Sequence, residues 1–274
     1  MLEDVEEEIY TESMEDKVAL TEIQLNLNTE IIEDNNIKTT FTDEYKGVQI
    51  KNSSNYELTE DIMEPNIELN NKNVVIYHTH TCESYTPSDE YNYEMTGNYR
   101  TTDLNYTVSR VGNELQTYLE QYEFTVAHNT TINDYPAYTG SYSRSLAAVN
   151  SSLSSNNSDI VIDLHRDAIG NNSNYAPRVK IGDEEVAQLM FVIGTDGGGL
   201  EHPNWKQNLK FAIKVQMKAN ELYPGLFRPI ILRNSRYNQH VAKYATIIEV
   251  GATGNTLEQC LRSMKYLSKI ISEI

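Results

Sequence analysis

Cysteine is scarce in this chain, which excludes one class of metal site. Cys82 and Cys260 are the two cysteines among 274 residues. A zinc site built on cysteine thiolates needs closely paired CxxC ligands, and the sequence has none. One disulfide and two free thiols both fit this count, so cysteine usage leaves the redox compartment open.

Basic clusters and long apolar runs are also missing. No stretch rich in Lys and Arg stands out, which argues against a nucleic-acid partner bound through its phosphates. No apolar run reaches membrane-spanning length, and no signal peptide is found. GxSxG, P-loop and GxGxxG motifs are absent, so these serine-hydrolase and nucleotide-binding signatures give no lead.

Acidic residues are abundant but unevenly spread, and the formal net charge is -18. Residues 1–70 carry 19 Asp and Glu against four Lys, whereas residues 71–274 carry 21 acids against 18 Lys and Arg. The first segment shows no sustained helical period. We therefore predict an acidic linker or stalk over residues 1–70, poorly ordered or partly structured near Thr40–Lys51, and a catalytic domain over residues 71–274.

From residue 74 onwards, short apolar strands alternate with amphipathic helices. Strands are predicted at 74–77, 123–127, 159–164, 229–232 and 245–250, with a hairpin over 179–193. Helices are predicted at 105–121, 141–153, 204–222 and 255–274. This alternation is typical of α/β proteins. We predict an α/β fold in which helices flank a mostly parallel, twisted sheet, with the acidic segment at its N-terminus.

Polar residues stand at the ends of three predicted strands. His78-Thr79-His80-Thr81-Cys82-Glu83 follows the first, Asp163-Leu164-His165 ends the third, and Glu249 lies near the end of a late strand. Ligands of open α/β sheets bind beyond the carboxyl ends of the strands, so we expect these side chains to meet. Two His and one carboxylate form a common ligand set for catalytic zinc.

The pattern therefore predicts a zinc site with assigned roles. His80, Glu83 and His165 are the predicted ligands, and Glu249 is the predicted general base, which takes a proton from water and passes it to the leaving nitrogen. Asp103, near the start of the first predicted helix, is an alternative to Glu83. His78 either replaces His80 or orients the site without touching the metal.

Other interpretations of these residues stay open. A single His or Glu at a strand end is often a structural, hydrogen-bonded residue. Cys82 lies among histidines, as a nucleophilic thiolate would, although the nearby carboxylate fits a metal better. Arg166, Arg233 and Arg236 are candidates for holding a carboxylate of the substrate, and each also fits a surface ion pair.

At these residues the sequence resembles the stage II sporulation protein P family of spore-forming bacteria. The resemblance runs from about Asn73 to the C-terminus and leaves the acidic segment outside. Its motifs, in the family's order, are Val75–Tyr85, Asp163–Asp167, Gly194–Asp196, His202–Trp205, Arg236–Gln239, Ile248–Gly251 and Asn255–Glu258. By motif, His80, His165 and Glu249 match the family's essential positions.

This resemblance implies an activity. The family looks like a branch of the zinc N-acetylmuramoyl-L-alanine amidases, which cut the amide between N-acetylmuramic acid and L-alanine in peptidoglycan. Endopeptidase action on peptide cross-links is also attributed to it. The implied cofactor is Zn²⁺. The implied setting is outside the cytoplasm, anchored in the mother-cell membrane at the sporulation septum, during engulfment and beside stage II sporulation proteins D and M. We expect the membrane anchor to lie outside this sequence.

One departure from the wider amidase group concerns the third ligand. In that group a zinc-binding Glu opens the first helix, whereas here the helix opens with Asp103-Leu104-Asn105, which is why Glu83 is assigned instead. Two other functions stay open: a zinc carboxypeptidase or endopeptidase acting on wall peptides, and a catalytically idle scaffold that binds the wall.

Overall fold

The structure is a computed structural model that describes residues 27–94, 99–169 and 174–274. Its strands are β1 (Thr29–Ile32), β2 (Asp43–Tyr45), β3 (Val48–Ser53), β4 (Asn73–Tyr77), β5 (Thr125–His128), β6 (Ile160–Asp167), β7 (Arg178–Ile181), β8 (Glu184–Ala187), β9 (Leu189–Gly194), β10 (Ile230–Arg233) and β11 (Tyr244–Ala252). Its α-helices are α1 (Glu60–Met63), α2 (Val108–Gln121), α3 (Ser141–Ser155), α4 (Trp205–Leu222) and α5 (Leu257–Ser272).

Most of these strands form one sheet with largely parallel neighbours. Its order is β2-β3-β10-β9-β11-β6-β4-β5, while β1, β7 and β8 form a small separate sheet. Strands β3, β10 and β9 run parallel to one another, and so do β11, β6, β4 and β5. The two groups meet at the antiparallel pair β9 and β11, and β2 is antiparallel to β3. The predicted α/β fold with a mostly parallel sheet is confirmed.

The two faces of this sheet are covered differently, because alternate residues of a strand point to opposite sides. Along β6, Ile162 and Leu164 join the large core together with residues of α2, α4 and α5. Val161 points the other way and packs in a smaller cluster with Val149 of α3. Helices therefore flank the sheet on both sides, with α2, α4 and α5 on one face and α3 on the other.

Helix α3 leaves part of its face of the sheet uncovered. There Met190, Val192 and Ile247 form a small apolar patch on β9 and β11 that belongs to neither core cluster. The same three side chains border a cavity of about 270 Å³. This open stretch of sheet lies at the seam between the two parallel groups of strands, and it is where the predicted site residues are found.

Part of the acidic segment is built into the fold. Strands β2 and β3 coincide with the stretch near Thr40–Lys51 where some structure is expected, and β3 pairs with β10 in the main sheet. Strand β1 pairs with β7, and α1 packs against α4. Residues 1–26 of the predicted stalk lie outside the described residues, and the division at residue 70 stays a prediction. None of the described helices is long and apolar enough to cross a lipid bilayer.

Candidate active site

Strand parity brings the predicted histidine and the predicted base to the open face of the sheet. On β6, Asp163 and His165 follow Val161 at steps of two, so all three point towards the α3 side. On β11, Glu249 follows Ile247 of the apolar patch in the same way. Glu249 is paired in register with His165 on the neighbouring strand. The two predicted residues therefore lie side by side.

The loop after β4 brings the remaining predicted ligands to this place. Thr79 fixes the loop on β6, because its backbone N–H and its hydroxyl donate to the two Asp163 oxygens at 2.8 and 2.6 Å. The Glu83 N–H donates to the His80 carbonyl at 3.0 Å and closes a turn. Both side chains thereby line the 270 Å³ cavity together with His165 and Glu249.

His165 lies between two carboxylates. Its Nε2 is 2.8 Å from Asp163 Oδ1, and its Nδ1 is 3.4 Å from Glu83 Oε2. Burial alone would lower the pKa of His165, but the two carboxylates outweigh burial and raise that pKa well above the ordinary value. Nδ1 is the nitrogen on the Glu83 side, and a metal bound there would displace the proton that the ring carries in the metal-free protein.

Glu83 is held as a carboxylate. Burial opposes its charge, but the His165 contact and the neighbouring Arg166 charge dominate and lower the pKa of Glu83 to about 2. Its Oε2 also accepts a hydrogen bond from the Arg166 backbone N–H at 3.2 Å. An ionised carboxylate inside the cavity is the form that a divalent cation binds.

The Arg166 side chain holds the surrounding loops together. Its Nε donates to the Ser84 carbonyl at 2.6 Å, Nη1 donates to the Thr253 hydroxyl at 3.0 Å, and Nη2 donates to the Tyr99 carbonyl at 3.1 Å. The residue is 5% exposed. These contacts favour a role for Arg166 in positioning Glu83 over the alternative role in substrate binding.

One ring nitrogen of His80 has a hydrogen-bond partner, and the other has none. Its ring stacks on Tyr138 with centroids 4.5 Å apart, and its Nε2 is 3.0 Å from the Tyr138 hydroxyl. Its Nδ1 is buried without a hydrogen-bond partner, 3.9 Å from Asp134 Oδ2. Burial lowers the pKa of His80 to about 4, so the imidazole is neutral at physiological pH, as a metal ligand must be.

Glu249 has one oxygen without any partner. Its Oε2 has no accessible surface and no hydrogen bond, although part of the side chain borders the cavity. Burial, with the nearby Asp167 and Glu83 charges, raises the pKa of Glu249 to about 8 against the opposing effect of His165. A carboxyl with a pKa this close to neutrality can both take and give a proton.

His78 lies on the opposite face of the sheet. Its Nδ1 is 2.8 Å from the Leu164 carbonyl, and its Nε2 is 2.7 Å from Nε2 of His128. Since a carbonyl only accepts, His78 carries its proton on Nδ1, and its Nε2 lies against the His128 ring. Both nitrogens are used, so the alternative in which His78 replaces His80 as a ligand is not supported. His78 instead ties the end of β4 to the backbone beside His165.

Two further sequence alternatives lie away from the cavity. Asp103 is exposed, and its Oδ1 accepts hydrogen bonds from the Asn105 backbone and side-chain nitrogens at 3.1 and 2.9 Å. The structure therefore does not support Asp103 as the third ligand. Cys82 is a buried free thiol whose pKa is raised by burial, which disfavours a thiolate nucleophile. Cys260 is likewise free and buried.

A larger groove of about 600 Å³ adjoins the cavity. Tyr142 and Tyr237 line both spaces. Arg236 lines the groove, whereas Arg233 lines the small cavity. The predicted arginines are thus separated: Arg166 braces the loops, Arg233 borders the cavity, and Arg236 faces the neighbouring groove.

Sequence reasoning missed three residues around the site. Asp163 stands two residues before His165 on one strand, so strand parity alone was a signal for it. Asp134 accepts from the Cys82 N–H at 3.1 Å and pairs with the Arg100 guanidinium, and it approaches His80 only through the tertiary fold. Tyr138 stacks on His80 in the same way, from a loop that carries no motif.

The residues at the cavity fit a zinc ion. In the part of the chain that the structure describes, no three His, Cys, Asp or Glu side chains are already gathered as a metal-holding group. However, two donors bound to one tetrahedral zinc at about 2.0–2.1 Å stand roughly 3.3 Å apart. His165 Nδ1 and Glu83 Oε2 are 3.4 Å apart, and His80 Nδ1 is a buried nitrogen without a partner.

Sequence comparison identifies the relatives of this chain. The family model described as Stage II sporulation protein P (SpoIIP) matches residues 2–272. This match includes the acidic segment, so the expectation that the resemblance begins near Asn73 is wrong. Stage II sporulation protein P of Bacillus subtilis (strain 168) is 30% identical over 217 residues, which cover 74% of this chain and 51% of that protein. The chain therefore spans about half the length of this curated relative.

Solved structures with a similar arrangement include two amidases. The CwlD amidase from Clostridioides difficile, solved in complex with the GerS lipoprotein, is 14% identical with a TM-score of 0.43, over 73% of this chain and 92% of that chain. The catalytic domain of CwlV, an N-acetylmuramoyl-L-alanine amidase from Bacillus (Paenibacillus) polymyxa var. colistinus, is 13% identical with a TM-score of 0.44, over 73% and 96%. With TM-scores below 0.5 these likenesses carry no argument about chemistry.

Proposed function

This chain belongs to the stage II sporulation protein P family, and from that premise we propose that it is a zinc-dependent peptidoglycan hydrolase of sporulation. Its proposed reaction is cleavage of the amide between N-acetylmuramic acid and the L-alanine of the stem peptide. The observation that carries the proposal is the meeting of His80, Glu83, His165 and Glu249 at one cavity.

We propose that His80, Glu83 and His165 hold the zinc ion. Zinc in such a site supplies a Lewis acid that polarises the scissile carbonyl and acidifies a water. Glu83 contributes a full negative charge, which its low pKa maintains. Asp163 fixes the His165 ring through Nε2, and Arg166 fixes the Glu83 loop.

Glu249 is the proposed general base and then the general acid. It lies beside His165 on the adjacent strand, and its side chain borders the cavity, where its carboxylate can take a proton from the attacking water. It then gives that proton to the nitrogen of L-alanine as the amide breaks, so the amine leaves neutral. General acid–base catalysis of this kind contributes roughly 10²–10⁴-fold to the rate.

The setting is proposed from the family. We propose that the protein works outside the cytoplasm on peptidoglycan at the sporulation septum during engulfment, anchored in the mother-cell membrane. Stage II sporulation proteins D and M are its proposed partners, and endopeptidase action on cross-links is a proposed second activity.

Zinc content and peptide release, measured on the same preparations, test this proposal. We expect about one zinc in the wild type, loss of zinc in His165→Ala, and retained zinc without peptide release in Glu249→Gln. Glu120→Gln, an exposed substitution on α2, is the matched control and should behave as wild type. Release of peptides with a free N-terminal alanine and intact cross-links indicates amidase action.

Other outcomes favour the alternatives. Cleavage within the peptides while the bond to the glycan stays intact would identify a zinc endopeptidase or carboxypeptidase. A wild type that holds no zinc and releases no peptide would overturn the mechanism and leave the wall-binding scaffold. A fully active Glu249→Gln would overturn the role assigned to Glu249.

A further inference from the structure

The groove beside the cavity is large enough for a short peptide. Its volume is about 600 Å³, within the range of sites that hold drug-sized ligands. It is formed by the start of α3 and by the loops after β9 and β10. The Tyr142 and Tyr237 rings, with centroids 5.9 Å apart, stand between it and the cavity. A substrate cleaved beside Glu249 would pass these rings to enter the groove.

The lining of this groove carries a positive charge, whereas the molecule as a whole is strongly negative. Among its described lining residues Arg236 is the one that carries a charge, although the chain as a whole has a net charge of -18. The flanking His202 is kept neutral, because burial and then the neighbouring His240 and Arg236 lower its pKa to about 4. Arg236 therefore gives the lining of the groove a positive charge, which favours an anion, although Asp196 also acts on the flanking His202.

Arg236 has little to pair with inside the protein. Its Nη1 donates to the Glu201 carbonyl at 3.3 Å, and its Nε is buried without a hydrogen-bond partner. Within the described residues no Asp or Glu carboxylate lies within 4.0 Å of its guanidinium, unlike Arg178, which has two. A partly buried guanidinium without a carboxylate is poorly compensated, and a ligand carboxylate would satisfy it by a charge-assisted hydrogen bond.

We propose that this groove binds the stem peptide on the L-alanine side of the scissile bond, with Arg236 pairing with a carboxylate of that peptide. This inference rests on the proposed function. Charge decides between the two halves of the intact substrate, because the peptide ends in a free carboxylate, whereas the carboxyl group of N-acetylmuramic acid is neutral while it is amide-bonded to L-alanine. Arg236 is therefore a specificity residue, and the glycan lies on the far side of the zinc site from it.

Binding of two synthetic peptides tests the inference without requiring catalysis. The first is a tetrapeptide that begins with L-alanine and has a free C-terminal carboxylate, and the second is the same peptide amidated at every carboxyl group. We expect the acid to bind the full chain about tenfold more tightly than the amide, as measured by NMR titration, which corresponds to one charge-assisted hydrogen bond.

The variants locate this preference at Arg236. Arg236→Gln should reduce the ratio of the two dissociation constants to near one, and Arg236→Lys should retain part of it, since Lys keeps the charge but loses the planar fork. Arg110→Gln is the matched control, because Arg110 lies on α2, pairs with Glu114 and lines neither space. It should leave the ratio at about ten.

The outcomes separate this inference from the proposed function. The peptide site would be overturned if the wild type bound the acid and the amide equally, or bound neither peptide. It would also be overturned if Arg236→Gln kept the full preference, or if an N-acetylglucosamine oligomer displaced the peptide. An Arg236-dependent preference in a protein that releases no wall peptides would overturn the amidase proposal alone.

Discussion

Asp163 determines which nitrogen of His165 is available for a metal. Both of its oxygens accept hydrogen bonds from Thr79, and Oδ1 also lies 2.8 Å from His165 Nε2, so the carboxylate is held in place beside the ring. We expect Asp163→Asn to weaken zinc binding about 10–100-fold, because an amide no longer stabilises the ring in this orientation. Competition with a fluorescent chelator measures the dissociation constant.

The control for Asp163→Asn is Asp183→Asn, an exposed substitution in the turn between β7 and β8. It should leave the zinc affinity unchanged. If Asp163→Asn binds zinc as tightly as wild type, Asp163 has only a structural role in the loop, and His165 does not depend on it.

The site residues that sequence analysis assigned share one property: they stand at or next to strand ends. Strand parity and the rule that ligands bind beyond carboxyl ends are both local, so His80, His165 and Glu249 were accessible from the sequence. Asp134 and Tyr138 were not, because the loop before α3 meets His80 only through packing of the whole fold. Their roles depend on contacts between residues more than fifty positions apart.

At the scale of elements, the contact of α2 with the sheet depends on Gly112. A Cβ at this position would lie 2.6 Å from His128 Nε2 and 3.0 Å from His78 Nε2. The two rings are bonded to each other and to the Leu164 carbonyl, so they have little freedom to move. Gly112→Ala gains about 1 kcal/mol in helix propensity, whereas overpacking of this kind costs about 1–3 kcal/mol.

We therefore expect Gly112→Ala to destabilise the protein by up to about 2 kcal/mol, as measured by urea denaturation. Asn150→Ala on α3 is an exposed helical substitution without such a clash and should be neutral or slightly stabilising. A stabilised Gly112→Ala would mean that the His78 and His128 rings move aside without cost.

The element boundaries show what the sequence pattern did and did not determine. The predicted helix at 105–121 begins instead at Val108, because the Thr107 side chain accepts from the Ser109 N–H at 3.2 Å and caps it. The predicted hairpin over 179–193 is divided: β7 and β8 turn at Gly182-Asp183 as expected, but β9 leaves them for the main sheet. An apolar run predicts a strand but does not identify its partner, so the antiparallel pairing of β9 with β11 could not be predicted from the sequence.

At the scale of the whole molecule, buried neutral histidines make stability depend on pH. Outside the cavity, burial followed by His78 lowers the pKa of His128 to about 3, and burial followed by His240 and Arg236 lowers that of His202 to about 4. In the unfolded chain both return to about 6.5. Between about pH 6.5 and 4 the unfolded state therefore binds more protons than the folded state, and stability falls as the pH falls.

His165 does not cancel this effect. Its pKa is raised in the fold, so its contribution is fully present below the unfolded pKa and is lost only as pH rises through the folded value. For the metal-free protein we expect the free energy of unfolding to drop by roughly 1 kcal/mol per shifted histidine between pH 7.0 and 5.5. Urea denaturation at these two pH values measures this drop.

His202→Gln keeps a side chain of similar size that does not titrate. The slope of its free energy of unfolding against pH should therefore be smaller than that of wild type by an amount equivalent to about one proton. A His202→Gln protein with the full wild-type slope would show that the fold does not lower the pKa of His202, and that Arg236 lies too far from it to matter.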